Sequence, residues 1–87
     1  EAGALRWTIV NKDGSPFAGI NCKLSPNDSA SIETVREGKT DRNGLWIVRG
    51  LFPGQYTAVA YLPDGREVTD DINIIEHDLT QKQKIVE

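Results

Sequence analysis

The chain has 87 residues, one cysteine and a formal net charge of −3. This length allows one domain with a modest core, and its scattered basic residues argue against nucleic acid as a ligand, because phosphate binding needs clustered Lys and Arg. No apolar stretch approaches the roughly 18 residues that span a bilayer, and a single cysteine excludes an internal disulfide.

Two alternating segments open the chain and predict strands that each bury one face. Residues 5–10 place Leu5, Trp7 and Ile9 on one side, with polar side chains on the other. After a loop at 11–16, residues 20–24 alternate again, and this phase points Cys22 inward. We therefore interpret Cys22 as a small core residue and not as a reactive thiol.

The polar segment at residues 25–31 predicts a loop at one end of the domain. It contains Asn27-Asp28-Ser29, a formal N-glycosylation acceptor, although a three-residue match carries little weight. We expect a short strand at 31–36, centred on Ile32 and Val35.

Residues 39–57 predict a turn, a strand, a second turn and the start of another strand. Asp41-Arg42-Asn43-Gly44 combines an Asp that can close a turn on its own backbone with residues that tolerate positive φ, which indicates a hairpin bend. Residues 45–49 begin with an apolar run typical of a buried strand. Pro53-Gly54 ends it, and residues 55–62 form the next strand.

The last third of the chain predicts a hairpin and an edge strand. Pro63-Asp64-Gly65 is a tight turn, after which 66–69 and 72–75 are expected to form one bent strand interrupted by Asp70-Asp71. Residues 79–86 close the domain as an edge strand that Lys82 and Lys84 protect from further pairing. Nothing has helical periodicity over ten residues, so the predicted fold class is all-β.

The stretch 40–56 (TDRNGLWIVRGLFPGQY), with 13–20 (DGSPFAGI) upstream, resembles the transthyretin-like or carboxypeptidase-regulatory-like domain family. The Cna-B domains of bacterial surface proteins are similar. The resemblance implies a seven-stranded transthyretin-like or immunoglobulin-like β-sandwich over residues 1–87. Such domains are usually appendages, and the chain has no Met at position 1, so we expect a single domain excised from a larger protein.

Catalytic chemistry finds little support in the residues. His77 is the one histidine and lies in Glu76-His77-Asp78, where it lacks the partners that a hydrolytic triad or catalytic zinc needs. The enzymatic branch of the family, the 5-hydroxyisourate hydrolases, would require several histidines and a Tyr-Arg-Gly-Ser type C-terminus. The chain ends Lys84-Ile85-Val86-Glu87, so we predict that it is not an enzyme and carries no cofactor.

Two further family-type sites are also not expected. A Cna-B isopeptide bond joins a first-strand Lys to a last-strand Asn, whereas this chain has Arg6 in its first strand and no Asn in residues 79–86. A calcium loop aligned on Gly44 would place Lys39 and Gly50 at ligand positions. Asp64, Glu67, Asp70 and Asp71 could supply a looser oxygen site but are interpreted as solvated acids, so no metal site is predicted.

The phase of the resemblance points Trp46 and Val48 inward and leaves Leu45 and Ile47 outside. By the same phase Val59 and Tyr61 point out. If the two strands are neighbours, Leu45, Ile47, Val59 and Tyr61 form an apolar patch on an outer sheet face. Such patches commonly mark interaction sites, and these four residues are the predicted protein-binding site.

The leading hypothesis is therefore an accessory domain that docks an effector or another protein partner onto a larger bacterial secretion or surface protein. The resemblance extends to the C-terminal transthyretin-like domains of type VI secretion spike proteins (VgrG). The alternative is a carbohydrate-binding, cell-surface-binding or spacer module of an extracellular protein. Sugar binding would require exposed aromatics, which makes Trp7, Trp46 and Tyr61 its test.

Overall fold

The computed structural model describes residues 2–28 and 33–87 as seven strands in two sheets. The strands are β1 (Gly3–Asn11), β2 (Asn21–Pro26), β3 (Arg36–Lys39), β4 (Leu45–Leu51), β5 (Gly54–Tyr61), β6 (Glu67–Ile74) and β7 (Leu79–Val86). One sheet has the order β4-β1-β7 and the other the order β3-β2-β5-β6. The expectation of a seven-stranded all-β sandwich is confirmed.

The core lies between the sheets and follows the predicted alternation. Trp7 and Leu5 of β1 are fully buried, as are Tyr56 and Ala58 of β5, which approach from the opposite sheet. Cys22 is buried as predicted, and desolvation raises the pKa of its thiol to about 12. A thiol that stays protonated at neutral pH is a poor nucleophile, so Cys22 serves as a core residue.

The turn at residues 41–44 forms by the expected chemistry. The Asp41 carboxylate accepts hydrogen bonds from the backbone N–H groups of Asn43 (2.8 Å) and Leu45 (3.1 Å). Gly44 has φ +74°, and a side chain there would collide with the Ile9 carbonyl. The interpretation as a hairpin bend was wrong in one respect, because β3 and β4 belong to different sheets and do not pair.

The second half contains one true hairpin and a parallel edge strand. β5 and β6 pair antiparallel through the turn at 62–66, which confirms the predicted hairpin. β6 runs unbroken through Asp70 and Asp71, so the predicted interruption is absent. β7 lies at a sheet edge, as expected, and pairs parallel with β1.

The expected strand at 31–36 falls partly outside the described residues, because 29–32 are not described. β3 begins at Arg36, and Val35 is 48% exposed, so Val35 is not the centre of a strand. Ser29 of the glycosylation triplet also lies outside the described residues. Within those residues, no helix is long and apolar enough to cross a membrane.

Candidate interaction surfaces

The four predicted binding residues point outward, but they lie on opposite sides of the molecule. Leu45 and Ile47 belong to β4, whereas Val59 and Tyr61 belong to β5, and these strands are in different sheets. The condition for one contiguous patch, that β4 and β5 are neighbours, is therefore not met. The cause is the turn after Leu51, which carries the chain from one sheet to the other. What remains is two separate pairs.

Leu45 and Ile47 lie on what we call the β4-β1-β7 face, the outer side of the three-stranded sheet. Arg6 occupies its centre, flanked in register by Ile47 on β4 and Gln81 on β7. The next row contains Leu45, Thr8 and Gln83. The other outward strand positions are Ala4, Arg49, Leu79 and Ile85, together with Val10, which is buried. This face combines aliphatic side chains with two arginines and carries no acidic residue on its strands.

Val59 and Tyr61 lie on what we call the β3-β2-β5-β6 face, the outer side of the four-stranded sheet. Val59 sits between Lys23 and Thr69, and Tyr61 between Asn21 and Glu67. The remaining outward strand positions are polar or charged, namely Ser25, Glu37, Lys39, Gln55, Thr57, Asp71 and Asn73. Val59 and Tyr61 are therefore isolated apolar groups on a polar sheet that carries both signs of charge.

Only one of the three aromatics that a sugar platform would need is available. Trp7 is fully buried and Trp46 is 7% exposed. The Trp46 indole packs directly against Gly38 of β3. Tyr61 is 36% exposed, which leaves a single aromatic ring on the β3-β2-β5-β6 face.

The other candidate groups do not converge on a reaction site. His77 lies exposed in the turn before β7, with φ +61° and its N–H donated to the Ala2 carbonyl. It borders a shallow cavity of about 350 Å³ with Arg49 and Asp78, but Asp78 accepts the Leu79 N–H at 2.9 Å. Among residues 2–28 and 33–87, no cluster of three His, Cys, Asp or Glu could hold a metal ion.

A second cavity, about 330 Å³, lies where Phe17 and Val86 meet the loop at 11–15. Three of its polar side chains, those of Asp13, Ser15 and Arg66, already have partners. Asp13 accepts hydrogen bonds from the Ser15 hydroxyl (2.7 Å) and N–H (3.0 Å), which lower the pKa of its carboxyl. Arg66 is bound to Asp64 and to the Glu87 carbonyl. The lining therefore stabilises a loop and offers no arranged set of free donors.

Sequence reasoning missed two polar clusters that join the sheets where their edges meet. At the β3/β4 seam, the buried Glu33 carboxylate accepts hydrogen bonds from the backbone N–H of Thr34 (3.0 Å) and Phe52 (3.1 Å) and from Arg36 Nε (3.2 Å). Arg36 also donates to the carbonyls of Arg49 and Gly50. Burial by itself raises the pKa of Glu33, but these donors and the guanidinium charge outweigh it, and the net pKa is lowered.

At the β6/β7 seam, Asp70 is the shared partner. Its carboxylate accepts a hydrogen bond from Trp7 Nε1 at 2.8 Å and forms an ion pair with Lys84 Nζ at 3.2 Å. Nearby, the Thr80 hydroxyl donates to the Asn73 carbonyl at 3.0 Å. The available signal was the alternation of β6, which puts Asp70 on the same inward face as Ile72 and Ile74. Lys84, predicted to protect the edge strand, points inward and pairs with this acid.

No family model and no curated protein sequence matches the chain. Its fold is similar to that of a streptococcal ancillary pilin (TM-score 0.79, 17% identity), over 97% of this chain and 31% of that one. BcpA, the major pilin subunit of Bacillus cereus, gives a TM-score of 0.74 at 16% identity, over 97% and 29%.

A third similar structure is PA1324 from Pseudomonas aeruginosa, a candidate carbohydrate binding protein (TM-score 0.69, 13% identity), matched over 97% of this chain and 88% of that one. The chain spans less than a third of the two pilins above. At these identities the likeness shows the fold, which is that of a β-sandwich domain of bacterial pilins.

Proposed function

We propose that this domain is a non-enzymatic accessory module that docks a protein partner onto a larger bacterial surface or secretion protein. The observation that carries the proposal is the outward placement of Leu45 and Ile47 on β4, with Ile47 37% exposed. Leu79, on β7 of the same face, is 44% exposed. Aliphatic groups grouped on one side of a small sandwich favour burial against another protein.

The comparison with pilins supports this choice of class. Pilin subunits are assembled proteins, and the β-sandwich that they share with this chain is the part that the likeness covers. The finer version, in which the partner is an effector loaded onto a type VI secretion spike protein (VgrG), rests on analogy with other members of the transthyretin-like family, which residues 13–20 and 40–56 resemble. We keep it as one form of the same proposal.

Affinity capture from a lysate of the source organism tests the proposal, with the native domain and two matched variants as baits. One variant is Leu45→Lys/Ile47→Lys, and the other is Val59→Lys/Tyr61→Lys on the opposite face. We expect a protein that the native domain and the second variant retain and the first loses at least tenfold. Each bait must unfold in urea with a single transition near that of the native domain.

The capture experiment also has outcomes that contradict the proposal. If the three folded baits retain the same proteins, no docking by either predicted pair takes place. If the Val59→Lys/Tyr61→Lys bait alone loses its partner, the module docks through the β3-β2-β5-β6 face.

Carbohydrate binding is the second candidate, and the exposed ring of Tyr61 on a polar sheet is the observation that favours it. A sugar ring could stack on Tyr61 while Asn21 and Lys23 supply hydrogen bonds. The burial of both tryptophans weighs against it. Binding of the native domain to a glycan array, abolished by Tyr61→Ala and unchanged by Ile47→Lys, would replace the docking proposal with this one.

A further inference from the structure

The charges of the molecule are distributed unevenly between its two outer faces. The chain has 13 acidic and 10 basic residues, yet the outward strand positions of the β4-β1-β7 face include Arg6 and Arg49 and no acid. The β3-β2-β5-β6 face, in contrast, carries Glu37, Glu67 and Asp71 beside its lysines. An acidic domain therefore presents one locally basic, aliphatic surface.

Arg6 is the central group of that surface. It is exposed, and among residues 2–28 and 33–87 neither Arg6 nor Arg49 makes an ion pair. Ile47 and Gln81 flank Arg6 in the same row. An unpaired guanidinium surrounded by aliphatic and amide groups is a surface that an incoming carboxylate can pair with in two parallel hydrogen bonds.

The charge pattern argues against a second copy of the same face as the occupant. In a two-fold symmetric dimer whose axis passes near Arg6, the Arg6 side chains of the two copies would face each other. The strands of this face carry no acid to separate them, and Asp78 lies at its border beside Arg49. Like charges brought together in an interface disfavour the complex, and they suppress wrong partners. The occupant must therefore bring negative charge that this face lacks.

An anionic membrane would bring negative charge, but this face has too few basic residues to hold a membrane surface. Two arginines add little to the attraction of a protein to a charged bilayer, and stable anchoring takes a larger basic cluster or an inserted apolar segment. The sheet also presents Thr8, Gln81 and Gln83, which are hydrogen-bonding groups suited to the polar groups of a protein.

We propose that the β4-β1-β7 face binds a separate protein through a segment that places an Asp or Glu opposite Arg6 and aliphatic side chains against Leu45, Ile47 and Leu79. This assignment rests on the proposed docking function and adds the chemistry of the partner. The acidic residue of the partner orients the two proteins and speeds their association, and the aliphatic contacts exclude water from its ion pair with Arg6.

Site-specific photo-crosslinking of the full protein in its own cells tests the assignment. A photoreactive residue replaces Gln81, which adjoins Arg6, or Thr69, which adjoins Val59 on the opposite face. Neither position removes a proposed anchor. We expect a protein adduct from position 81 and none from position 69, with the crosslinked segment of the partner containing Asp or Glu beside aliphatic residues.

Charge reversal then tests the pair itself. Arg6→Glu should reduce the adduct at least tenfold, and changing the acidic residue of the crosslinked segment to Arg should restore it in that background. Arg6→Gln should give an intermediate loss. Urea unfolding of the isolated Arg6→Glu domain checks that this variant folds. If it does not fold, the same measurement is made with Arg49→Glu.

Several outcomes would overturn the assignment: an adduct to a second copy, to lipid or to the same polypeptide, a crosslinked segment without acids, or an adduct insensitive to Arg6→Glu. An adduct from position 69 alone would also overturn it while leaving the docking function in place. If neither position yields a protein adduct, the docking function fails as well.

Discussion

The two seams of the sandwich are closed by polar groups of different kinds. At the β3/β4 seam, Glu33 and Arg36 bind mainly backbone atoms of residues 49–52, which a variety of sequences could supply. At the β6/β7 seam, Trp7 and Lys84 both bind the carboxylate of Asp70, so the contacts run between side chains. The first seam therefore depends on two side chains and on backbone atoms, whereas the second depends on three side chains that meet at Asp70.

The largest expected effect is the loss of Asp70, which has two partners at once. Asp70→Ala leaves the Trp7 N–H without its acceptor and Lys84 without its counter-charge, which should cost about 2–3 kcal/mol of unfolding free energy. Urea unfolding followed by tryptophan fluorescence measures it. Asp71→Ala, on the exposed outer side of the same strand, is the matched control and should stay within about 0.5 kcal/mol.

The coupling within this unit can be measured separately. Lys84→Met should cost less in the Asp70→Ala background than in the native chain, because its partner is already gone. An equal loss of unfolding free energy in both backgrounds would mean that Lys84 and Asp70 act independently. The side chains at the β6/β7 seam would then not form one coupled unit.

The next effect is steric and belongs to the β3/β4 seam. A Cβ at Gly38 would overlap the Trp46 indole, so Gly38→Ala should destabilise the fold by about 1–3 kcal/mol. The neighbouring Glu37→Ala, which is exposed, should change little. In a Trp46→Leu background the cost of Gly38→Ala should fall, and an unchanged cost would point to backbone strain instead of the indole.

Glu33→Gln should have a smaller, pH-dependent effect. The amide keeps the size of the side chain but loses the charge on hydrogen bonds to Phe52 and Arg36, which should cost about 1–2 kcal/mol at pH 7. Because the folded pKa of Glu33 lies below its ordinary value of 4.5, its charged form stabilises the fold above that value. The stabilisation is lost as the pH falls through the folded pKa.

The difference between native and Glu33→Gln unfolding free energies should therefore be constant above about pH 6 and shrink below the ordinary pKa range. Glu37→Gln, at an exposed position of β3, provides the control. A difference that grows on acidification would contradict the lowered pKa.

Local patterns predicted the inward and outward faces of the strands but not which strands pair. The alternation in residues 5–10 has period two because one side is buried, and the burial of Trp7 follows from it. The inward phase of residues 55–62, with Tyr56 buried, rests on the family resemblance together with alternation. Turn chemistry at Asp41 and at residues 63–65 is equally local. These features need no knowledge of distant residues.

Sheet membership depends on distant residues, and there the sequence was insufficient. A short turn with Pro53-Gly54 suits a hairpin as well as a crossing between sheets, but β4 pairs with β1, about 40 positions earlier in the chain. No local pattern records that choice, so the single patch of Leu45, Ile47, Val59 and Tyr61 depended on the condition that their two strands are neighbours, which the sequence left open. Glu33 shows the same limit, because β3 and β4 separate it in sequence from its partner Phe52.

The smallest expected effect concerns His77, in the turn that leads into β7 at the β6/β7 seam. A non-glycine residue at φ +61° costs about 1 kcal/mol, and His77→Gly removes that cost while adding roughly 0.5–1 kcal/mol of chain entropy in the unfolded state. The two terms nearly cancel. His77→Asn tolerates this conformation without the entropy cost, whereas a β-branched side chain does not. Thermal unfolding should therefore rank the Asn and Gly variants at or slightly above the native chain and His77→Val below it by a few degrees.

A Val variant as stable as the native chain would mean that the turn can leave the left-handed region without disturbing β7, and that this part of the seam is held by the Asp70 cluster alone.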